Sequence, residues 1–529
     1  MSNLGKLTIL ILSCLVLQIY ADADACAPRQ VTLSLGDKHY RGPRTNVQNV
    51  TLDLARIVWV TQSTCSNGTL TIVRVNSTET PKGYGHRVEE YSQYINITHK
   101  GKTSEGQYTR YSHIAELVDI KPETFYTATI TSGGETTSFR FKIPDMNKKD
   151  KPLTFLHYAD FDNGNISKPT FQALRSLLAN ESTEIDFSLF NGDLAYEISD
   201  DAGKRGDSFY EDYQSIATTR PMVFAPGNHE WFYNFSLLNY RTKMPLFNET
   251  NNHYYSWDMG SVHFIQFNYD FYDVVDEATQ KRMYDWIEND LRMANASENR
   301  TQRPWIVAYT HRPIYCSTNM LSDKEEGRCY SFYPKRKIWD ELLYKYRVDL
   351  LLSGHVHSYE RMGAVYQNHS MSYESYYDSQ GVQTIKNPTA TVHIVDGSAG
   401  NDYFMQDEPI VPNNYSIKGD LNISYSIVTV HNDSVISFKH IKSSDGSIID
   451  QFYLKRDRPS TGMPAWAIVL IVVGVVSVLA GVGIYFYKKS KSSKNSSVVW
   501  DTTDKSTPIM RRSEDLEGAE GTVYSAQSA

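Results

Sequence analysis

Between Pro28 and Pro144, short apolar runs alternate with polar turn clusters, and no run holds a helical period. Gln30–Leu35, Ala55–Thr61, Leu70–Val75, His113–Leu117, Thr124–Ile130 and Thr137–Ile143 read as strands. Roughly seven short strands over about 115 residues predict an all-β sandwich, assigned to residues 26–145. The charged stretch Met146–Lys151 reads as a linker. From Leu153 the pattern changes. Leu153–Ala159, Ile185–Phe190, Met222–Ala225, Val262–Phe267, Trp305–Thr310 and Val348–Leu352 are continuous apolar runs of strand length, and Lys168–Leu178, Lys281–Met293 and Lys335–Tyr346 carry helical spacing. Residues 150–456 are therefore expected to form a layered α/β unit with buried strands. Ligands of such sheets bind beyond the carboxyl ends of the strands.

Two further apolar runs lie near the ends of the chain. Lys6 precedes Leu7–Tyr20, and Ala21, Ala23 and Ala25 follow in A-x-A spacing, which reads as a secretory signal over residues 1–25. Trp466–Tyr487 is apolar and uncharged, with aromatic residues at both ends. That run is long enough to span a bilayer. Lys488, Lys489, Lys491 and Lys494 follow it and place the C-terminal side in the cytoplasm. The expected order is a large lumenal or extracellular body, a stem at 457–465, a membrane helix at 466–487 and a cytoplasmic tail at 488–529. This is a single-pass type I protein of the plasma membrane or an endosomal or lysosomal membrane, bound to the bilayer through one helix.

The sequons agree with that exposure. Asn49, Asn67, Asn76, Asn96, Asn165, Asn180, Asn234, Asn248, Asn295, Asn299, Asn368, Asn414, Asn422 and Asn432 all head Asn-x-Ser/Thr triplets. Cys14 leaves with the signal. Cys26, Cys65, Cys316 and Cys329 remain, an even set with three connectivities; nearest-neighbour pairing favours Cys26–Cys65 and Cys316–Cys329. The balance of 53 basic against 61 acidic residues, a net −8, argues against a nucleic-acid partner.

The strand ends carry the candidate chemistry. Asp160 follows the first buried strand, Asn191-Gly192-Asp193-Leu194-Ala195-Tyr196 the second, and Gly227-Asn228-His229-Glu230 the third. His311 follows Trp305–Thr310, and Ser353-Gly354-His355-Val356-His357 the last run. Taken singly, an Asp there is a helix cap and an Asn-His pair a turn. Five such ends on one sheet point to a shared site instead. Imidazole suits Zn and Fe, and carboxylate and amide oxygens suit harder ions. Two ions about 3.5–4 Å apart need a bridging carboxylate.

Asp160, the Gly-Asp-x-x-Tyr of Gly192–Tyr196, Gly-Asn-His-Glu at 227–230, His311 in His-Arg-Pro-Ile-Tyr-Cys, and Gly-His-Val-His-Ser-Tyr-Glu-Arg at 354–361 together resemble the metal motifs of purple acid phosphatases. Gln30–Asp37 and Ala55–Gln62 resemble that family's N-terminal fibronectin type III-like domain; Thr391–Gly400 and Tyr425–Leu454 resemble its C-terminal strands. The resemblance implies an α/β metallophosphoesterase sandwich after the β-sandwich. It implies a ferric ion held by Asp160, Tyr196 and His357, a divalent Zn, Fe or Mn ion held by Asn228, His311 and His355, and Asp193 bridging the two. It implies an acid phosphatase that hydrolyses phosphate monoesters, small-molecule or protein, with a metal-activated hydroxide. His229 would contact substrate or protonate the leaving group, and Arg312 is a further candidate phosphate contact. A phosphodiesterase or pyrophosphatase on the same core, and an inactive receptor-like protein, are the alternatives; a homodimer is left open. Two departures stand out. The first motif usually reads Gly-Asp-x-Gly, where this chain has Ala159-Asp160-Phe161-Asp162, and the His pair of plant members has no counterpart between Tyr315 and Cys329.

Overall fold

The strand Phe125–Ser132 buries every second side chain, Tyr126, Ala128, Ile130 and Ser132. That is the signature of a strand with one face on a core and one on solvent. The computed structural model describes residues 25–36, 54–65, 68–77, 84–99, 102–117, 119–231, 243, 253–317, 333–402, 413–457 and 465–492. The expected signal peptide and the sequons at Asn49, Asn67, Asn234 and Asn248 lie outside the described residues.

The N-terminal strands are β1 (Arg29–Gly36), β2 (Leu54–Thr61), β3 (Thr69–Arg74), β4 (Tyr84–His99), β5 (Lys102–Leu117), β6 (Phe125–Ser132) and β7 (Glu135–Lys142). β1, β2, β5 and β4 pair in that order, all antiparallel. β3, β6 and β7 make a second sheet, and Val31, Leu33, Ile57 and Trp59 pack with Ile72, Ala128, Ile130 and Phe141 in one core. Cys26 and Cys65 are joined.

Two expectations need correction. The N-terminal sheet is not a separate layer, because β1 pairs in parallel, Ser34 with Met222, with the strand Met222–Phe224 and so runs on into the larger sheet of the α/β unit. Nor is Met146–Lys151 a free linker. Lys148 is buried against Asp186 at 2.8 Å, and the Met146 carbonyl accepts from Gly260. A partner carboxylate is what lets a lysine of this charged stretch be buried.

The α/β unit adds β8 (Leu153–Tyr158), β9 (Phe187–Phe190), β10 (Met222–Phe224), β11 (Tyr254–Met259), β12 (Val262–Phe267), β13 (Trp305–Tyr309), β14 (Leu350–Ser353), β15 (Tyr359–Tyr366), β16 (His369–Ser370), β17 (Glu374–Tyr377), β18 (Gln383–Lys386), β19 (Val392–Asp396), β20 (Ser416–Asp420), β21 (Ser424–Asn432), β22 (Val435–Lys442) and β23 (Ile448–Lys455). Its helices are α1 (Lys168–Ala179), α2 (Lys204–Ala217), α3 (Asn228–Trp231), α4 (Tyr269–Val274), α5 (Glu277–Ala294), α6 (Ser297–Gln302) and α7 (Tyr333–Lys345). The strands fall into the two sheets of the expected sandwich, so the five ligand-bearing strand ends lie on two sheets and not on one. The larger runs β17-β18-β23-β22-β21-β8-β9-β10 and then into β1-β2-β5-β4; the smaller runs β11-β12-β13-β14-β19-β15-β16, with β20 beside β15.

The sheets face each other through aromatic rings. Phe155 meets Phe264 edge-on with centroids 5.6 Å apart, and Phe187 meets Trp257 at 5.0 Å. On the outer side of the larger sheet, Phe171 of α1 and Phe209 and Tyr213 of α2 close on Phe161 and Phe190. On the outer side of the smaller sheet, Met283, Ile287 and Leu291 of α5 and Trp339 and Leu342 of α7 pack with Ile265, Phe267, Ile306 and Ala308. The result is helix, sheet, sheet, helix. Buried on both faces, β8, β9, β13 and β14 are mostly apolar, with Thr154, His157, Ser188 and Ser353 as the buried polar residues among them.

A second unit, 460–529, carries the helix α8 (Ala465–Ser492), over the apolar run expected to span a membrane. Its side chains at 477–489 are exposed, including Val478, Leu479, Ile484 and Phe486. Among the described residues no helix is long and apolar enough to cross a membrane; the side chains of 465–476 are not among them.

Candidate metal centre

β8, β9 and β10 are mutually parallel, as are β13 and β14, and the loops after all five converge. One side chain ties the carboxyl ends of the two sheets together. Asn191 Nδ2 donates to the carbonyls of Thr310 and Leu352, both at 3.0 Å. The Asn191 carbonyl accepts from His311 Nδ1 at 2.8 Å. A carbonyl can only accept, so Nδ1 carries a proton, which leaves Nε2 as the nitrogen that would face a metal. Nε2 lies 2.9 Å from Asp193 Oδ2.

The seven expected ligands come together as two adjoining groups. In one, ligand atoms of Asp193, His311 and His355 all lie within 4.8 Å of one another. Asn228 stands at the start of α3, and its Oδ1 is buried without a hydrogen-bond partner. In the other, the Tyr196 hydroxyl is 2.7 Å from Asp160 Oδ1 and 3.0 Å from His357 Nε2, and His357 Nε2 is 3.3 Å from Asp160 Oδ1. The groups are linked by the His355 amide, which donates to Asp160 Oδ2 at 2.7 Å. Donors about 2.1 Å from one ion sit roughly 3 Å apart, so these separations suit coordination. The donor set, mixed imidazole, carboxylate, amide and phenol, together with the orphaned amide oxygen, fits a pair of cations.

The backbone is strained where the ligands sit. Asp160, Asp193 and His355 have φ of 60°, 57° and 68°, the left-handed region, and the glycine Gly192 before Asp193 has φ 90°. Each non-glycine residue there costs about 1–3 kcal/mol and persists only where its surroundings impose it. Gly227 is required for a different reason: a Cβ there would strike the Asp193 carboxylate and stand 2.6 Å from the Asp193 backbone nitrogen.

Proton affinities follow the crowding of buried acids. Burial lowers the pKa of His311, but Asp193 and Asp160 outweigh it and push it up to about 10; Asp193 and Glu197 likewise overcome burial at His229 and raise it to about 9. Burial and then Asp193 raise Glu230 to about 7, although it accepts from the amides of Asp193 and Leu194 at 2.9 and 2.6 Å. Burial, Asp160 and Asp193 raise the Tyr196 phenol well above its usual range. Without cations, the buried acids hold protons on His311 and His229. A bound ion supplies that charge instead, requires neutral imidazole, and reverses the phenol's shift.

His229 reaches furthest toward solvent, with 15 % of its side chain exposed against 1 % for Asp193. Its Nδ1 is 2.5 Å from Glu197 Oε1, its amide donates to Asp193 Oδ1 at 2.9 Å, and its ring tilts against Tyr196. Arg312 is buried and paired with Asp270 at 2.7 Å. Sequence reasoning missed the groups that hold the ligands: Asn191, Glu197, Glu230, and Asn401, whose amide lies 3.2 Å from His357 Nδ1. Cys316 is disulfide-bonded; Cys329, its expected partner, lies outside the described residues. Asn76, Asn165, Asn180, Asn368, Asn414, Asn422 and Asn432 are exposed. Asn299 is buried, with its amide donating to the Met293 carbonyl at 2.7 Å, so the packed surface disfavours a glycan there.

Two facing sheets with a cluster of metal donors at their carboxyl ends define a metallophosphoesterase. A family model for calcineurin-like phosphoesterases matches residues 143–359, and one for the iron/zinc purple acid phosphatase-like protein C matches 390–451. Acid phosphatase type 7 of Danio rerio is 32% identical over 374 residues, 67% of this chain and 80% of that protein. Acid phosphatase type 7 of Homo sapiens is 32% identical over 284 residues, 51% of this chain and 61% of that protein. Purple acid phosphatase 18 of Arabidopsis thaliana is 27% identical over 388 residues, 71% of each chain. The purple acid phosphatase isolated from yellow lupin (Lupinus luteus) seeds has the same fold, with a TM-score of 0.63 and 22% identity over 83% of this chain and 78% of that one. The chain belongs to the purple acid phosphatase family, and it is a phosphoester hydrolase.

Proposed function

We propose that the chain is an acid phosphomonoesterase with an Fe(III)–divalent centre, anchored to a membrane with its catalytic body on the exoplasmic side. The observation that carries this reading is the pair of adjoining donor groups, one of which contains a phenol. Asp160, Tyr196 and His357 would hold the ferric ion; Asn228, His311 and His355 would hold the divalent one, Zn, Fe or Mn. Asp193 would bridge the two, since it lies 2.9 Å from His311 Nε2 in one group and close enough to Tyr196 in the other to raise its phenol. Two such cations lower the pKa of a water and neutralise charge developing on phosphoryl oxygens.

The chain's own groups supply the rest. His229, at the mouth and oriented by Glu197, is placed to meet the substrate's phosphoryl oxygens or give a proton to the leaving alcohol. Asn191 and Glu230 fix the ligand loops through backbone amides and carbonyls. Arg312 would contact phosphate only by leaving Asp270. The exposed sequons and the outward-facing apolar side chains of α8, followed by lysines, support a glycosylated body with a spanning helix.

The test is hydrolysis of p-nitrophenyl phosphate against bis(p-nitrophenyl) phosphate by the purified body, with metal analysis. The expected result is two metals per chain and preference for the monoester below neutral pH. Preference for the diester would transfer the site to phosphodiester chemistry, and a protein that took up metal but cleaved neither ester would favour a receptor-like role.

A further inference from the structure

Asp162 stands where the resemblance leads one to expect glycine, and it is fully buried. A buried carboxylate needs a partner, and Arg205 supplies it: Nη2 lies 2.5 Å from Asp162 Oδ1. The same guanidinium makes a second bond. Arg205 Nε donates to the carbonyl of Ala195 at 2.8 Å. That carbonyl belongs to the peptide plane that enters Tyr196, and both flanking residues have unfavourable backbones, φ 63° at Ala195 and 30° at Tyr196. Fixing this plane fixes where the phenol points.

Asp162 in turn lies at a junction of two ligand-bearing segments and a third that touches a ligand. Its amide donates to the Gly400 carbonyl at 3.0 Å, one residue before Asn401, which lies against His357 Nδ1. Next to it, Phe161 donates to the Asp193 carbonyl at 3.0 Å and accepts from the Ala195 amide at 3.1 Å. Arg205 itself is the second residue of α2, a helix held down by Asp207, which pairs with Lys243 at 3.1 Å and with Arg110. The forked, planar guanidinium can hold two acceptors in fixed geometry, which a lysine cannot.

We infer that Arg205, locked by Asp162, is a positioning residue that sets the Tyr196, Asp160 and His357 half of the metal centre in this chain. The inference rests on the proposed dimetal reading. Groups that orient metal ligands change affinity by about 10–100-fold when removed.

The experiment loads the purified full-length protein with iron and zinc and follows release of each metal to a chelator, together with the visible spectrum of the oxidised protein. Arg205→Met is expected to release iron about ten-fold faster or more, with zinc release changed much less, and to shift the phenolate charge-transfer band. Arg205→Lys, which keeps the charge but not the fork, should fall between, and it carries the same readouts if Arg205→Met does not fold. A purely structural ion pair would lower the melting temperature and leave iron release within two-fold and the band in place; that result overturns the inference. A wild-type protein that retained two metals without a visible band would refute the ferric-phenolate assignment instead, while the release rates still decided the role of Arg205. A wild-type protein that held no metal would remove both.

Discussion

His263 offers a test of the fold's electrostatics away from the metal ligands. It is the second residue of β12, with 2 % of its side chain exposed. Nδ1 is 2.7 Å from Asp258 Oδ1 and Nε2 is 2.8 Å from Asp290 Oδ2. Carboxylates only accept, so both ring nitrogens must donate, and only the imidazolium can do that. Arg303 stands 3.5 Å from Asp258 Oδ2, and the Ser256 hydroxyl donates to Asp290 Oδ1 at 2.6 Å, so two acids face two cations. Burial lowers the pKa of His263, but Asp290 and Asp258 overcome it and raise it to about 9. The unfolded value is about 6.5. A folded pKa above the unfolded one stabilises fully below about pH 6.5, and the contribution is lost as pH rises through 9. Integrated, it is about 3 kcal/mol at pH 6, about 2 at pH 7.5 and close to zero at pH 10. The assay is urea unfolding of the body, followed by tryptophan fluorescence, for the wild type and His263→Gln with equal metal loading. The stability difference between the two should shrink by about 2 kcal/mol from pH 7.5 to pH 10. A difference that stays constant across that window would falsify the imidazolium assignment.

Other changes probe the site and the frame. Asp193→Asn should cost about 100-fold or more in turnover and reduce bound metal below two per chain by elemental analysis, because the carboxylate proposed to bridge the ions loses its charge. Gly227→Ala, which drives a Cβ against the Asp193 backbone, should lower unfolding stability by about 1–3 kcal/mol and reduce metal content, read by denaturation and elemental analysis. Tyr196→Phe should keep the melting temperature within a few degrees but abolish visible absorbance; a Phe variant that kept its colour would show that the phenol is not a ligand. Replacing Cys26 and Cys65 together by Ser opens a loop of 39 residues and should cost about 4 kcal/mol in reducing-agent-independent unfolding.

The elements visible in the sequence were those with one clear period. β8, β12 and β13 are fully buried and mostly apolar, and α1 and α5 bury residues at helical spacing. β4 escaped notice because most of its described side chains are exposed, so it shows no apolar face, although it pairs along its whole length with β5. α2 was missed because it starts at Gly203, in the left-handed region and without a side-chain cap, so its first turn has no start signal. The division into two sheets was hidden for another reason. A strand buried on both faces has no face to mark, so nothing local distinguishes a strand of the larger sheet from one of the smaller. The continuity of β1 with β10 rests on one register pair between residues far apart in sequence.

The metal ligands were legible because each sits in a short local motif at the end of an apolar run, with a glycine before it where backbones must pass closely. What orients them is not local. Asn191 reaches across to Thr310 and Leu352, Asn401 to His357, and Arg205 to Ala195 and Asp162. These are ordinary polar residues whose role exists only once the sheets have closed. The strain is equally silent, since an Asp or His at φ near 60° has the same sequence as one at φ −60°. Donors must present particular atoms, so their chemistry restricts residue type and leaves a motif. Orienting groups need only supply a hydrogen bond at the right point in space, and many residues can do that. Arg205 is the exception among them. Two nitrogens of its one guanidinium meet two acceptors, one of them a buried carboxylate, so a forked cation satisfies both, and the Asp162 that breaks the expected motif is the visible half of that pair.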